Sequence, residues 1–281
     1  MSKSIVLITG ASGGLGLAVA LAAAKAGFKV YASMRDTAKA GILTQTMGVT
    51  VLPMDVESTD SVNAAVAAVI GAEGRIDALI ANAGIGFVRT TEQATEADIN
   101  WVMNVNFMGV VRCVKAVLPH MRVAGSGRVI AISSVGGLVG QPFNEVYCAS
   151  KFAVEGYMES LASYVGPAFG LHFSLIEPGG ISSDFAASAF KHYGATGGMV
   201  EDNYLPLIQR YIGGAEARSA GVFQTPDAVA QVVLQCLQAE KPPVRSRTSD
   251  WAEAFTRLKT LGDPDGSLLQ AEIVEKMMGG L

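Results

Sequence analysis

The 281-residue sequence predicts an α/β fold: a doubly wound parallel sheet of about seven strands, flanked by helices, in a single domain with a C-terminal lid and tail. Three observations carry that expectation. Short β-branched runs alternate with long alanine-rich segments. Most of the runs are continuously apolar, as strands are when helices cover both faces of a sheet. A glycine-rich turn joins the first run to the first helical segment.

The elements follow in order. Residues 5–9 read as the first strand and 14–26 as the first helix, with Gly10, Gly13, Gly14 and Gly16 at the turn. Further strands are expected at 29–33, 50–54, 78–82, 128–133 and 172–177, and helices at 58–70, 96–122 and 145–166. Strand and helix alternating in this way imply right-handed crossovers between parallel neighbours. After Pro178 the alternation breaks. Residues 184–224 read as an irregular, helix-like lid punctuated by Gly194, Gly197, Gly198, Gly213 and Gly214. One more amphipathic helix is expected at 225–239, where Pro226 suits the first turn, and a last strand at 244–247. Residues 1–248 are thus expected to form the main domain, lid included, and 249–281 an extension that is helical around 251–261.

Composition narrows the function classes. Half of the residues are hydrophobic and 16% charged, with a net charge of -4 and a pI near 5.4, which argues against a nucleic-acid footprint. The nearest basic cluster, Lys241, Arg245 and Arg247, reads as a solvated edge. Cys113, Cys148 and Cys236 form no C-x-x-C pair, so neither a disulfide framework nor structural zinc is expected. The start of the chain lacks a signal-peptide pattern and no uncharged apolar stretch reaches the roughly 18 to 20 residues of a membrane span. A cytoplasmic protein with no membrane span is the expectation, and the apolar composition suggests buried subunit interfaces. His120, His172 and His192 lie in no metal-like spacing, so no metal is expected.

The stretch LITGASGGLGLAVALAAA has the chemistry of a pyrophosphate site. At a strand-to-helix turn, free amides and the positive end of the helix dipole face outward, and glycines let the backbone approach the phosphates. The fingerprint G-x-G-x-x-G does not fit, because Val19 stands at its third glycine. T-G-x-x-x-G-x-G does fit, through Thr9, Gly10, Gly14 and Gly16, while Gly10, Gly13 and Gly16 also satisfy T-G-x-x-G-x-x-G. Further along come MDV with Asp55, NAG at 82–84, NVNFMG with Asn106, ISSVGG with Ser134, YCASK with Tyr147 and Lys151, and PGGISS at 178–183. Ser134 precedes Tyr147 by 13 residues.

In this order the motifs resemble the short-chain dehydrogenase/reductase family. The first glycine pattern belongs to its shorter branch and the second to its longer, epimerase-like branch; chain length and the Asn82, Asn106, Ser134 set favour the shorter. SVGGLVGQPFNEVYCASKFAVEGYMESLA is similar to the 17β-hydroxysteroid dehydrogenases of the oestrogen-forming type and to related retinol dehydrogenases. The resemblance implies a Rossmann-like fold and a nicotinamide cofactor held by Thr9, Gly10, Ser12, Gly13, Gly14, Leu15, Gly16, Ser33, Arg35, Asp55, Val56, Asn82, Ala83, Gly84, Tyr147, Lys151, Pro178, Gly179, Ile181 and Ser183. Ser183 replaces the usual threonine of the nicotinamide loop and keeps its hydroxyl.

The resemblance also implies the chemistry. Tyr147 and Lys151, four apart, share a helix face, and a nearby ammonium brings a phenol with an ordinary pKa near 10 toward the working range. Ser134 hydrogen-bonds the substrate oxygen, and Asn106 holds a water that links Lys151 to solvent. The family's ribose-binding acid falls on Met34, with Arg35 next, which favours NADP(H) because a guanidinium pairs well with a 2′-phosphate. Against this, Gly13 stands where many NADP-using relatives carry a second basic residue and Asp36 lies nearby, so NAD(H) stays open. Gln141, Phe143, Asn144 and Phe185, with Tyr193, are expected to wall the pocket of a bulky lipophilic alcohol or ketone. A 3-oxoacyl carrier-protein reductase and a non-catalytic nucleotide-sensing protein are the alternatives. A homodimer or homotetramer is implied by the resemblance.

Overall fold

The computed structural model describes residues 3–213 and 222–278. Gly214, one of the expected lid glycines, lies outside the described residues. Its main sheet has seven parallel strands in the order β3-β2-β1-β4-β5-β6-β9. These are β1 (Ile5–Ile8), β2 (Lys29–Met34), β3 (Val49–Pro53), β4 (Ala78–Ala81), β5 (Gly127–Ile132), β6 (Leu171–Glu177) and β9 (Arg245–Arg247). A separate two-stranded piece pairs β7 (Gly180–Ile181) with β8 (Phe223–Gln224). The chain runs outward from β1 to β3, then returns to β4 on the other side of β1. That reversal opens a crevice at the carboxyl ends of β1 and β4.

The two faces are covered separately. Helices α1 (Gly14–Lys25) and α8 (Pro226–Gln238) bury Leu15, Val19, Val229 and Val233 against Val6, Ile8, Ile80 and Ile130. The opposite face receives α2 (Thr59–Glu73), α4 (Gly109–Ala124) and α5 (Glu145–Phe169), with Val66, Val114, Val154 and Met158 against Leu7, Leu79 and Val129. Residues of β1 and β4 are buried on both sides, which is why their sequences are apolar throughout. Local chemistry sets the boundaries. Ser58 caps α2 and Thr225 caps α8 through side-chain oxygens, and Gly74, Gly125 and Gly170 end α2, α4 and α5 in left-handed conformations.

Four expectations need correction. The helix expected at 96–122 is α3 (Glu96–Met103) joined to α4 through a π-helical segment, Asn104–Met108. A single extra residue per turn leaves the apolar pattern intact, so periodicity cannot reveal it. The same run, Glu96–Ala124, is long and apolar enough by length and composition to cross a membrane, where no such stretch was expected. Its Val102, Val105, Val110, Val114, Val117 and Met121 are buried in the core, which accounts for the apolarity. Arg245 and Arg247 are no solvated edge: Arg247 is 3% exposed and ion-paired to the fully buried Glu177. Finally, the extension has two helices, α9 (Asp250–Thr260) and α10 (Ser267–Met278), the second of which the sequence reading missed. Gln270 of α10 donates to the Ala162 carbonyl of α5 at 2.6 Å. The lid contains α6 (Asp184–Ala195) and α7 (Leu205–Gly213).

Leu79, at the centre of the sheet and fully buried, tests the packing. Leu79→Ala is expected to cost about 2–5 kcal/mol in denaturant unfolding, the range for a buried leucine whose cavity cannot collapse.

Candidate active site

The crevice is shaped by an unusually close backbone approach. Gly10 has φ of +67°, and a Cβ there would lie 2.8 Å from Ala83 Cα. A Cβ on Gly16 would lie 2.3 Å from the Gly10 carbonyl oxygen and 2.5 Å from Asn82 Nδ2. Thr9 is buried, and its Oγ1 accepts from the Asn82 amide at 3.0 Å and the Ala83 amide at 2.9 Å. The Asn82 side chain donates in return to the Thr9 and Gly10 carbonyls, at 2.9 and 3.1 Å. Thr9 and Asn82 therefore brace the turn, and their side-chain polar groups are spent on protein.

Above that brace the site is open. Gly13 precedes α1 with an extended backbone, no side chain caps the helix, and its first turn carries no acid. A Cβ on Gly13 would meet nothing within 4 Å, and Ser12 is exposed. Unclaimed amides at the positive end of a helix, with room above them, fit a pyrophosphate. Leu15 offers only its backbone, since its side chain is in the core. On the far wall, Gly14 faces Ser183, which caps α6; a Gly14 Cβ would lie 3.4 Å from Ser183 Cβ. Ile181 pairs with Gln224, and Gly179 abuts Trp251 of the extension, 3.0 Å from a would-be Cβ.

At the adenosine end the structure changes two assignments. Ser33 is buried and its hydroxyl donates to the Ile8 carbonyl at 2.9 Å, so it ties β2 to β1 instead of reaching a cofactor. Arg35 is well exposed, but its guanidinium stands 3.6 Å from Glu57, an acid that would compete with a 2′-phosphate. The pair is solvated and correspondingly weak. Met34 is buried and presents no ribose-binding group. Asp55 is half-buried and accepts from the Glu57 amide, while Val56 is held by Arg112, which donates to its carbonyl at 3.0 Å and to Asn104 Oδ1 at 2.6 Å.

Ser134, Tyr147, Lys151 and Asn106 come together at the carboxyl end of β4 and β5. The position of a Gly136 Cβ is 3.2 Å from Tyr147 Cε1, 3.4 Å from Ser134 Oγ and 3.4 Å from Gln141 Nε2. Ser134 stands beside the Tyr147 phenol, and its Oγ accepts from the Gly136 amide at 3.0 Å. Lys151 is buried, donates to the Ile132 carbonyl at 2.8 Å and lies 5.9 Å from the centre of the Tyr147 ring. The spot above Gly84 lies between Asn106 Oδ1, at 3.3 Å, and Lys151 Nζ, at 3.6 Å.

Burial governs the charges. It pushes the Tyr147 phenol up to about 12, against the opposing influence of the nearby Ser134 hydroxyl. It pulls the Lys151 ammonium down to about 8, with nearby Glu155 opposing the fall. In the chain by itself the expected drop of the tyrosine toward neutrality is therefore outweighed by desolvation. At pH 7 Tyr147 carries its proton and Lys151 is mostly charged.

The π-helical segment turns Asn106 inward, fully buried. Its Oδ1 accepts from the Ile85 amide at 2.8 Å; its Nδ2 donates to the Ile85 carbonyl at 2.9 Å and to Ser150 Oγ at 3.0 Å. Ser150 in turn donates to the Tyr147 carbonyl at 2.7 Å. The Asn106 side chain thus staples the loop after β4 to α5.

Apolar rings surround the mouth. Phe185 meets the Tyr147 ring edge-on at 5.9 Å, and Phe143 meets Tyr211 of α7 at 5.1 Å. Asn144 Nδ2 donates to Tyr211 Oη at 3.2 Å. Phe143 has φ of +62°, a conformation rare outside glycine that is held by the Arg89 amide donating to its carbonyl at 2.8 Å. Tyr193, expected in the wall, is buried beneath the Arg89 guanidinium at 4.8 Å. That guanidinium also donates to the Tyr193 carbonyl and to the Thr196 hydroxyl, closing the end of α6. Arg89, Arg112, Tyr211 and Trp251 were missed in the sequence; the one visible signal was a lone arginine in the apolar run GIGFVRT.

Comparison with known proteins gives a consistent answer. The model of a family described as short chain dehydrogenase matches residues 4–194. The human protein named 17-beta-hydroxysteroid dehydrogenase type 1 is 38% identical over 95% of this chain and 84% of its own. Retinol dehydrogenase 8 of Bos taurus is 37% identical over 94% and 86%. The crystal structure of a short-chain dehydrogenase from Streptomyces avermitilis superposes with a TM-score of 0.78 at 29% identity, covering 100% of this chain and 98% of that one.

The glycines of the turn are not equivalent. Gly16→Ala is expected to cost at least about 1–3 kcal/mol by overpacking against backbone, measured by thermal or denaturant unfolding. Gly13→Ala, with open space at its Cβ, should stay within about 0.5 kcal/mol of the parent.

Proposed function

Because the chain belongs to the short-chain dehydrogenase family, we propose that it interconverts a secondary alcohol and a ketone, or a retinol-like alcohol and aldehyde, on a bulky lipophilic substrate with NADP(H) preferred. One observation carries the reading: Ser134, Tyr147 and Lys151 converge on one spot beside the uncapped start of α1. The cofactor, when bound, supplies or accepts the hydride. Tyr147 holds a proton at neutral pH, so it is poised as the acid for ketone reduction. Ser134 Oγ is placed to donate to the same substrate oxygen, where negative charge develops. In the oxidative direction the phenol must first lose its proton, and the Lys151 ammonium favours that form. Asn106 holds Ile85 and Ser150, and through Ser150 the backbone of Tyr147, in register.

Phe143, Phe185 and Tyr211 around the catalytic tyrosine support a lipophilic substrate, with Gln141 and Asn144 available to its polar atoms. The relatives named for hydroxysteroids and retinol lend the same support. Arg35 supports NADP(H), weakened by Glu57. The exposed Phe152, Tyr164 and Phe169 of α5 are in keeping with a homodimer or homotetramer.

Ketones and alcohols assayed with NADPH, NADH and their oxidised forms test the reading; turnover confined to short polar or carrier-linked ketones would overturn the substrate class. Tyr147→Phe should lower turnover by about 10²-fold or more while cofactor binding, read by nucleotide fluorescence, persists. Unchanged turnover sinks the mechanism. Gly13→Arg, entering open space, should raise the preference for NADPH over NADH by about tenfold, as a charge-assisted contact worth roughly 1.4 kcal/mol would.

A further inference from the structure

Behind the catalytic tyrosine runs a line of buried titratable groups that the proposed chemistry does not use. Tyr147, Lys151, Glu155 and Glu159 recur every four residues along one side of α5. Glu155 is 5% exposed and Glu177, at the end of β6, is completely buried. Room for Glu155 is made by a glycine: a Cβ on Gly137 would lie 3.0 Å from Glu155 Oε1 and 2.7 Å from Ser133 Oγ. Neither oxygen of Glu155 has a hydrogen-bond partner among the described residues. A carboxyl placed this expensively, without an arginine of its own among the described residues, calls for a reason.

Resting on the proposed role of Lys151, we propose that Glu155 is a positioning residue that keeps the Lys151 ammonium charged as pH rises. The groups facing it from each packed element decide which way its proton goes. From β6, Glu177 repels a second negative charge, and from α5 itself Glu159 does the same. From β9, Arg247 Nη1 pairs with Glu177 Oε2 at 3.1 Å, and its Nε meets Glu253 of α9 at 3.0 Å. Arg245, also on β9, is committed to Glu159 at 3.1 Å and to Asp263 at 3.6 Å. Two neighbouring buried carboxyls cannot both ionise cheaply, and Arg247 favours charge on Glu177. The proton therefore stays on Glu155, whose carboxyl burial holds well above the usual range. Lys151 is the remaining cation beside it. Once Glu155 ionises as pH rises, its carboxylate favours the proton on Lys151, one helical turn away.

The discriminating variant is Glu155→Gln, which copies the protonated acid in shape but cannot ionise. The alkaline limb of its kcat profile should move down by about one pH unit, a roughly fivefold larger loss at pH 9 than at pH 7. A limb that stays in place overturns the proposal. A readout independent of turnover is the titration of the Lys151 13Cε resonance in the intact chain, assigned by its loss in Lys151→Met. Its midpoint should fall in Glu155→Gln, and equal midpoints overturn the proposal even if no ketone is ever reduced. Should the glutamine variant fail to fold, Glu155→Asp, with its carboxyl one methylene further back, should give a midpoint below the parent. A lysine midpoint that falls in Glu155→Gln, in a parent that turns over no ketone, would instead count against the proposed reaction and support this inference.

Discussion

Everything in the site depends on how closely the chain approaches itself where β1 and β4 end. The strand order reverses there, and side chains join the backbone in satisfying the groups where the chain leaves the two strands. Thr9 Oγ1 takes two amides and the Asn82 side chain takes two carbonyls, four bonds that lock the turns together. Each buried group left unpaired would cost about 1–3 kcal/mol, so removing either side chain strands partners on the other. The lock leaves no space for a Cβ at Gly10 or Gly16. With Thr9 Oγ1 and Asn82 Nδ2 engaged inside, the turn presents to the crevice what a phosphate needs: amides at a helix start, with the exposed Ser12 beside them.

On the other side of the crevice the governing conflict is between burial and charge. Lys151 donates to Ile132 and sits within a few ångströms of Gly84, deep enough that burial opposes its charge. The same burial raises Tyr147. A bare tyrosine–lysine pair in such a place would drift toward two neutral groups, a phenol and an amine, and the amine would then do nothing for the phenolate. A catalytic pair therefore needs a third group that favours the ammonium, and the helix supplies a carboxyl one turn further on.

Much of this was legible in the sequence because its determinants are local. The alternation of apolar runs and helices is a pattern within each element. The spacing of Tyr147 and Lys151 is one helical turn, and the glycines of the first turn are adjacent in the chain. What escaped notice pairs residues far apart. Arg89 reaches the end of α6, 104 positions away, and Arg247 reaches Glu177 across 70. A charged side chain reads as solvated when its partner is invisible, which is why β9 was taken for a basic edge. Asn106 was found but its bonds to Ile85 and Ser150 were not, because the π-helical turn that swings it onto Ile85 leaves no mark on apolar periodicity.

These distant contacts have a common geometry. Trp251 packs on Gly179 at the cofactor wall, Gln270 bonds α5, and Glu253 and Arg247 continue the ionic line that begins at Tyr147. The stretch from β9 onward is thus the back wall of α5. Without Arg247, Glu177 would lose the cation that favours its charge, and the proton held on Glu155 would have two equivalent carboxyls to choose between. Glu155 would then respond less sharply to the ammonium beside it. The length of chain beyond the last parallel strand serves the site in the way the glycine turn does, by settling the polar groups behind a reactive surface so that only the useful ones face the crevice.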